Sequence, residues 1–303
     1  MRGNRGIAQL LVLWALVLLG TLALGFSLSM RTEAQAARYG VDDARAYFQA
    51  RTGVQRAVVL LSTLPADNVM RMEIAGSEGD ATYEVRVESE SGKVDVNQVS
   101  EEVLLGMLRI GGLPEEEAEG VRDAILDWRD RDDTPRARGA EAAGYAQIPE
   151  PVVPRNGKFL AVPELRYVKG VTAELYRRFL SRVFTAHGNS PRVNYLLAPE
   201  IVLRSLPGVS PGAAARIVAR RGGEPPMTAA DLAAMVGEGL MSSQGLALVS
   251  GGGASNVYAI TATGRAGNGV VHAVSCLAEV TGGGKKAVKI LRWLDQVPAE
   301  VGG

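Results

Sequence analysis

Between residues 127 and 141 the chain reads Asp127-Trp-Arg-Asp130-Arg-Asp132-Asp133-Thr134-Pro-Arg-Ala-Arg-Gly-Ala-Glu141. Counted from Asp130, oxygen-bearing side chains fall at positions 1, 3 and 5 (Asp130, Asp132, Thr134), with Glu141 at position 12. An EF-hand loop wraps a calcium ion in hard oxygen donors with that spacing. Pro135 stands where such a loop needs its glycine, which argues against a true EF-hand and leaves open a different oxygen-ligated calcium loop. The alternative is a solvated mixed-charge loop in which Arg129, Arg131, Arg136 and Arg138 pair with the acids. Spacing alone does not choose between the two.

Other candidates for chemistry fail on mechanism. Gly208-Val-Ser210-Pro-Gly212 has the letters of a nucleophile elbow. In that elbow the N–H of the residue after the serine builds the oxyanion hole; here that residue is Pro211, which has no N–H. Ser210 as a helix N-cap with Pro211 in the first helical position explains the same residues. His187 and His272 have neither metal-ligand spacing nor an acid partner in sequence, and Gly282-Gly-Gly-Lys285 lacks the spacing of a P-loop. The expectation is a protein that is not an enzyme.

Two segments echo each other. Val94-Asp-Val-Asn97 before Ser100-Glu-Glu-Val-Leu-Leu resembles Arg192-Val-Asn194 before Ala198-Pro-Glu-Ile-Val-Leu. Each leads to a glycine-containing turn and a second helix, a helix-hairpin-helix-like unit occurring twice. Such hairpins can hold DNA through backbone N–H groups and nearby basic residues, and Arg216, Arg220 and Arg221 follow the second turn. The first turn is followed by Glu115, Glu116, Glu117 and Glu119, and 33 Lys plus Arg balance 33 Asp plus Glu. Without clustered positive charge there is little counterion release to drive binding, so the hairpins read as packing elements and nucleic acid as an improbable partner.

These residues must be positioned by a chain whose beginning is its clearest signal. A basic head carrying Arg2 and Arg5 runs into Ile7–Met30, which has no ionisable side chain. About 20 apolar residues cross a bilayer, and the positive-inside rule leaves the head in the cytoplasm and the bulk outside. Gly6–Ile7 has the form of a junction cut ahead of the apolar run, which then stays as an anchor; a secretory signal peptide loses its run instead. The single cysteine, Cys276, cannot form an intrachain disulfide and sits in an alternating apolar segment. From Glu33 to Leu64 the residues Ala37, Val41, Ala44, Phe48, Val54, Val58 and Leu61 recur near helical spacing, up to Pro65. A hairpin is expected from Thr82–Glu88 and Lys93–Val96 around a Ser-Glu-Ser-Gly turn. Helices follow at 101–108, 115–131, 174–183, 199–205, 211–221 and 229–236, then strands at 255–263, 270–280 and 286–295. The fold class is α+β: leader 1–6, anchor 7–30, first part of a sheet domain 31–97, inserted helical domain 98–253 returning through Gly251-Gly252-Gly253, and second part 254–303.

Taken together, the Arg-Gly/Ile junction, the Leu-Leu-Val-Leu-Trp anchor, Val-Asn before each hairpin, Asp-Trp-Arg-Asp-Arg-Asp with Gly-Ala-Glu, and the closing strands resemble the minor pseudopilins of type II secretion systems called general secretion pathway protein K. The resemblance implies a pilin-like fold with a large helical insertion. It implies removal of the leader between Gly6 and Ile7 by prepilin peptidase, an inner-membrane anchor and a periplasmic body. It also implies a place at the pseudopilus tip beside the minor pseudopilins I and J, then H and the major pseudopilin G, and a role in protein export. Calcium in the inserted domain would fall on Asp130, Asp132 and Glu141, with Asp127 and Asp133 as further candidates. Most pilins carry glutamate as the fifth residue after the cut; here that place is Leu11, which suits a protein with nothing stacked above it, since a buried unpaired carboxylate is costly. The reading from another class is a membrane-anchored DNA receptor for uptake.

Overall fold

A computed structural model of the chain describes residues 4–64, 71–147, 152–225, 227–251, 255–267, 269–282 and 286–295. Pro65, Gly252, Gly253, Gly283, Gly284 and Lys285, expected to act as breakers and turns, lie outside the described residues, as do residues 1–3 of the leader. One helix, α1, runs from Asn4 to Thr63. Its first half is apolar and bare, with Leu11 66% and Trp14 70% exposed, and it is long and apolar enough to cross a membrane.

The second half of α1 packs on a five-stranded antiparallel sheet in the order β1-β2-β7-β8-β9. The strands are β1 (Arg71–Glu78), β2 (Ala81–Ser89), β7 (Val257–Ala266), β8 (Val270–Thr281) and β9 (Ala287–Leu294). The helix face buried on the sheet is Ala46, Ala50, Val54, Ala57 and Leu61, a stripe at spacings of four and three. Ala37, Val41, Ala44 and Phe48 of the expected stripe are exposed instead. Closeness is the physical reason. A Cβ on Gly264 would lie 1.9 Å from the Ala46 carbonyl oxygen, and one on Gly53 would lie 2.6 Å from Val85 Cγ2. Beside Gly264 only small residues such as Ala46 and Ala50 fit between helix and sheet, whereas Val54 and Leu61 of the expected stripe are buried further along.

The expected hairpin partner of β2 is also corrected. β2 pairs with β1, Glu78 opposite Ala81, and on its other side with β7, Ser89 opposite Tyr258. Ser89-Glu90-Ser91-Gly92 is a 3-10 turn that leaves the sheet: Ser89 Oγ accepts from the Ser91 N–H, and the Lys93 N–H donates to Glu90 O. The chain then enters an insertion between two adjacent strands. β3 (Val94–Asp95) leads to α2 (Glu101–Ile110), α3 (Glu115–Arg129) and α4 (Ala142–Tyr145). α5 (Ala173–Leu175) and α6 (Ser181–Val183) flank a π-helical turn, Tyr176–Leu180, where the sequence suggested one unbroken helix. β4 (Phe184–Thr185) closes this part by pairing parallel with β3. A second part opens at β5 (Val193–Asn194) and carries α7 (Glu200–Ser205), α8 (Pro211–Arg220), α9 (Ala229–Gly237) and α10 (Ser243–Ala247). It closes with β6 (Val249–Ser250) parallel to β5.

The insertion has its own core, which includes Leu104, Met107, Ile125, Leu165, Phe184, Leu203 and Ile217. It is separate from the core between α1 and the sheet, where Cys276 is buried.

Candidate metal centre

The acidic segment is the link between α3 and α4, and the helix before it supplies the hooks. Asp123 and Asp127 are four residues apart on α3 and face the same side; both are buried. Asp127 accepts the backbone N–H of Arg136, at 3.3 Å to Oδ1 and 3.2 Å to Oδ2. Asp123 accepts that of Arg138 at 3.1 Å. The loop is thereby folded back onto the helix. A Cβ on Gly139 would lie 1.9 Å from Asp127 Oδ2, so this closure requires glycine there.

Folding back brings the two ends of the segment together, Asp130 and Asp132 at its start and Glu141 at its end. Carboxylate oxygens of Asp130, Asp132 and Glu141 lie within 4.8 Å of one another, with Glu141 buried, Asp130 half-buried and Asp132 exposed. Both Glu141 oxygens and Asp130 Oδ1 are buried without a hydrogen-bond partner. Burial, and then the charges of Asp127, Asp130, Asp133 and Asp132, push the Glu141 carboxyl up to about 7. An unpartnered buried carboxylate among like charges is costly, and oxygen donors clustered in this way are of the type that a hard divalent cation takes.

The two further candidates are engaged elsewhere. Asp127 Oδ1 and Asp130 Oδ2 each take a bond from Arg136 Nη1 at 2.6 Å. Asp133 accepts from Asn156 Nδ2 at 2.6 Å. Asp132 Oδ1 accepts the Thr134 N–H at 2.9 Å. Of the other arginines that could have paired with the acids, Arg129 donates to the carbonyls of Val96 and Val99. Arg138 pairs with Glu116 and Glu119. Asn156 was not foreseen. It enters from 23 residues beyond Asp133, has φ 48° and keeps its Oδ1 buried without a partner. The Asn156-Gly157 dipeptide was the available signal, since it marks a tight turn.

The remaining sequence candidates have structural roles. Ser210 Oγ caps α8 by accepting the Ala213 N–H at 3.1 Å. The turn before it is sealed: the Ser242 N–H donates to Gly208 O, the Ser210 N–H donates to Leu240 O, and Val209 bridges Met241. Arg216 pairs with Glu238 and Arg220 with Asp231. The Val209 and Ser210 amides of this turn are thus taken within the protein, and Arg216 and Arg220 are each paired with an acid. His272 lies 3.8 Å from Asp43 and edge-on to Tyr47. Gly6, Ile7 and Leu11 all lie within α1.

Residues 68–187, which contain the acidic loop, match the family model described as type II secretion system (T2SS), protein K. Among curated proteins, a type II secretion system protein K of Pectobacterium carotovorum subsp. carotovorum is 39% identical over 77 residues, 25% of this chain and 24% of the relative. Another, from Pseudomonas aeruginosa, is 32% identical over 150 residues, 46% of this chain and 44% of the relative. This chain thus spans less than half the length of those relatives. Among solved structures, a chain of the GspK-GspI-GspJ complex from the enterotoxigenic Escherichia coli Type 2 Secretion System superposes with a TM-score of 0.64 at 14% identity, covering 90% of this chain and 99% of that one. At that identity the match speaks for a shared fold.

Proposed function

We propose that this chain is a minor pseudopilin of the type II secretion system protein K family, whose sequence it matches in part. It is a structural, non-catalytic component at the tip of the secretion pseudopilus that helps start its assembly and hence protein export across the outer membrane. The observation that carries this reading is α1, whose bare apolar half continues without a break into a half clamped on a sheet. One continuous element thus joins an anchor to a body. Prepilin peptidase cuts between Gly6 and Ile7, Ile7–Met30 stays in the inner membrane, and Arg2 and Arg5 hold the head in the cytoplasm, so that the body lies in the periplasm. By analogy with the named complex, the minor pseudopilins I and J sit beside it, with H and the major pseudopilin G following. Leu11, in place of the usual glutamate, and the insertion between β2 and β7 both suit a position with nothing stacked above.

In this reading calcium is held by Asp130, Asp132 and Glu141. Bound there, it supplies positive charge that ties the end of α3 to the start of α4. Asp127 supports the site from behind by holding the loop backbone, and Asp133 fixes Asn156 at its rim.

Cross-linking and co-purification of the processed chain from membranes, with and without chelator, tests the assignment. The expected result is capture of I and J, a mature N-terminus at Ile7 and loss of export when the chain is deleted. A chain found distributed along the shaft, or export unaffected by its deletion, would overturn it.

A further inference from the structure

We infer that Arg136 is a built-in competitor for the cation: its guanidinium holds Asp130 while the loop is metal-free and must release it for an ion to be ligated, so Arg136 sets how tightly the loop binds calcium. The inference rests on the calcium reading above and adds a residue to it that opposes binding.

The geometry separates two jobs of one residue. The Arg136 backbone N–H is fixed on Asp127, so the loop stays attached to α3 whatever the side chain does. The guanidinium instead spans two acids, with Nη1 at 2.6 Å from both Asp127 Oδ1 and Asp130 Oδ2. Its side chain is 36% exposed, leaving it a path into solvent, whereas Asp127 is fully buried. Asp130 is therefore shared between two demands. One oxygen is taken by Arg136, while its carboxylate also belongs to the triad with Asp132 and Glu141.

Charge makes the two occupancies compete. A divalent ion among Asp130, Asp132 and Glu141 sits close to a guanidinium bonded to one of its own ligands, and like charges at that range repel strongly in a half-buried setting. The guanidinium does not relieve the other side of the cluster, where both Glu141 oxygens remain without a partner. Arg136 thus offsets the charge of Asp127 and Asp130, while the Glu141 carboxyl has no hydrogen-bond donor of its own. Among the described residues, no other arginine of the segment bonds these acids: Arg129 is on backbone carbonyls and Arg138 on α3 glutamates.

The test is calcium titration by calorimetry on the full processed chain in detergent, stripped with chelator beforehand. It compares the wild type with Arg136→Gln, Arg136→Lys and Arg138→Gln. A charge-assisted hydrogen bond corresponds to on the order of tenfold in affinity, so Arg136→Gln is expected to bind calcium about tenfold more tightly. Arg138→Gln removes the same charge from the same loop but not from these ligands, and is expected to change affinity by less than about threefold. Thermal melts supply a second readout: Arg136→Gln melts below wild type in chelator and level with it in saturating calcium, whereas a merely structural arginine would lower both. Arg136→Lys keeps the charge, guards against failure of the glutamine variant to fold, and is expected to bind calcium more weakly than Arg136→Gln. Equal affinities for wild type and Arg136→Gln, tightening by Arg136→Lys as large as by Arg136→Gln, or equal tightening by Arg138→Gln, would overturn the competition. Absence of calcium binding by all four chains would instead overturn the calcium site itself.

Discussion

Glu141 carries the sharpest consequence among single residues, because the fold buries its carboxylate and gives it no hydrogen bond. Its folded-state value of about 7 lies above the ordinary 4.5. The folded chain then holds this proton more tightly than the unfolded one, and the associated stability is present below pH 4.5 and lost as pH rises to about 7. In chelator, wild type is expected to lose stability across that window, and Glu141→Gln to lose less. With calcium present at neutral pH the order reverses, the glutamine variant melting lower; pH-dependent melts with and without calcium measure both. That Asp130, Asp132 and Glu141 cluster could be read from spacing, because acidic residues near one another in sequence leave a periodic trace. Arg136 and Asn156 could not be assigned their partners. Four arginines in the segment are equivalent as letters, and loop closure onto Asp123 and Asp127 decides which one meets the carboxylates.

Among the elements, α1 shows what periodicity can and cannot supply. Its existence and length were legible from the apolar run and the spacing beyond it. The buried face was legible in part: Val54 and Leu61 of the expected stripe are buried, but Val41 and Phe48 face outward, because beside Gly264 the close approach of the sheet admits only alanine. Gly264→Val is accordingly expected to push α1 off β7 and cost about 1–3 kcal/mol, read as a lowered denaturation midpoint. Phe48→Ala, on the outward face, is expected to leave the midpoint of the isolated chain nearly unchanged. The strand after β2 was misplaced for a related reason. Alternation marked residues 93–96 as extended, but the parallel partner β4 lies about ninety residues on, and no local signal names it.

For the whole molecule, the two cores predict two separable responses. Cys276 is buried between α1 and the sheet, and burial pushes its thiol up to about 12. Trp128 is buried in the insertion, stacked on Phe159 with ring centroids 6.1 Å apart. Calcium is expected to protect the Trp128 environment against denaturant while leaving the rate of Cys276 alkylation little changed. Fluorescence and thiol labelling on the same sample check this, and a parallel shift in both would mean the cores open together. That the insertion splits a single sheet was legible from strands at both ends of a helical block; its subdivision was visible only as a repeated Val-Asn. The tight seat of α1 has a mechanical side. At Ala46 and Ala50 the helix backbone rests almost directly on Gly264, with no long, compliant side chain between them. Axial load applied to the segment in the bilayer therefore reaches the sheet without slack, and a pull at one end displaces the body rather than stretching a tether.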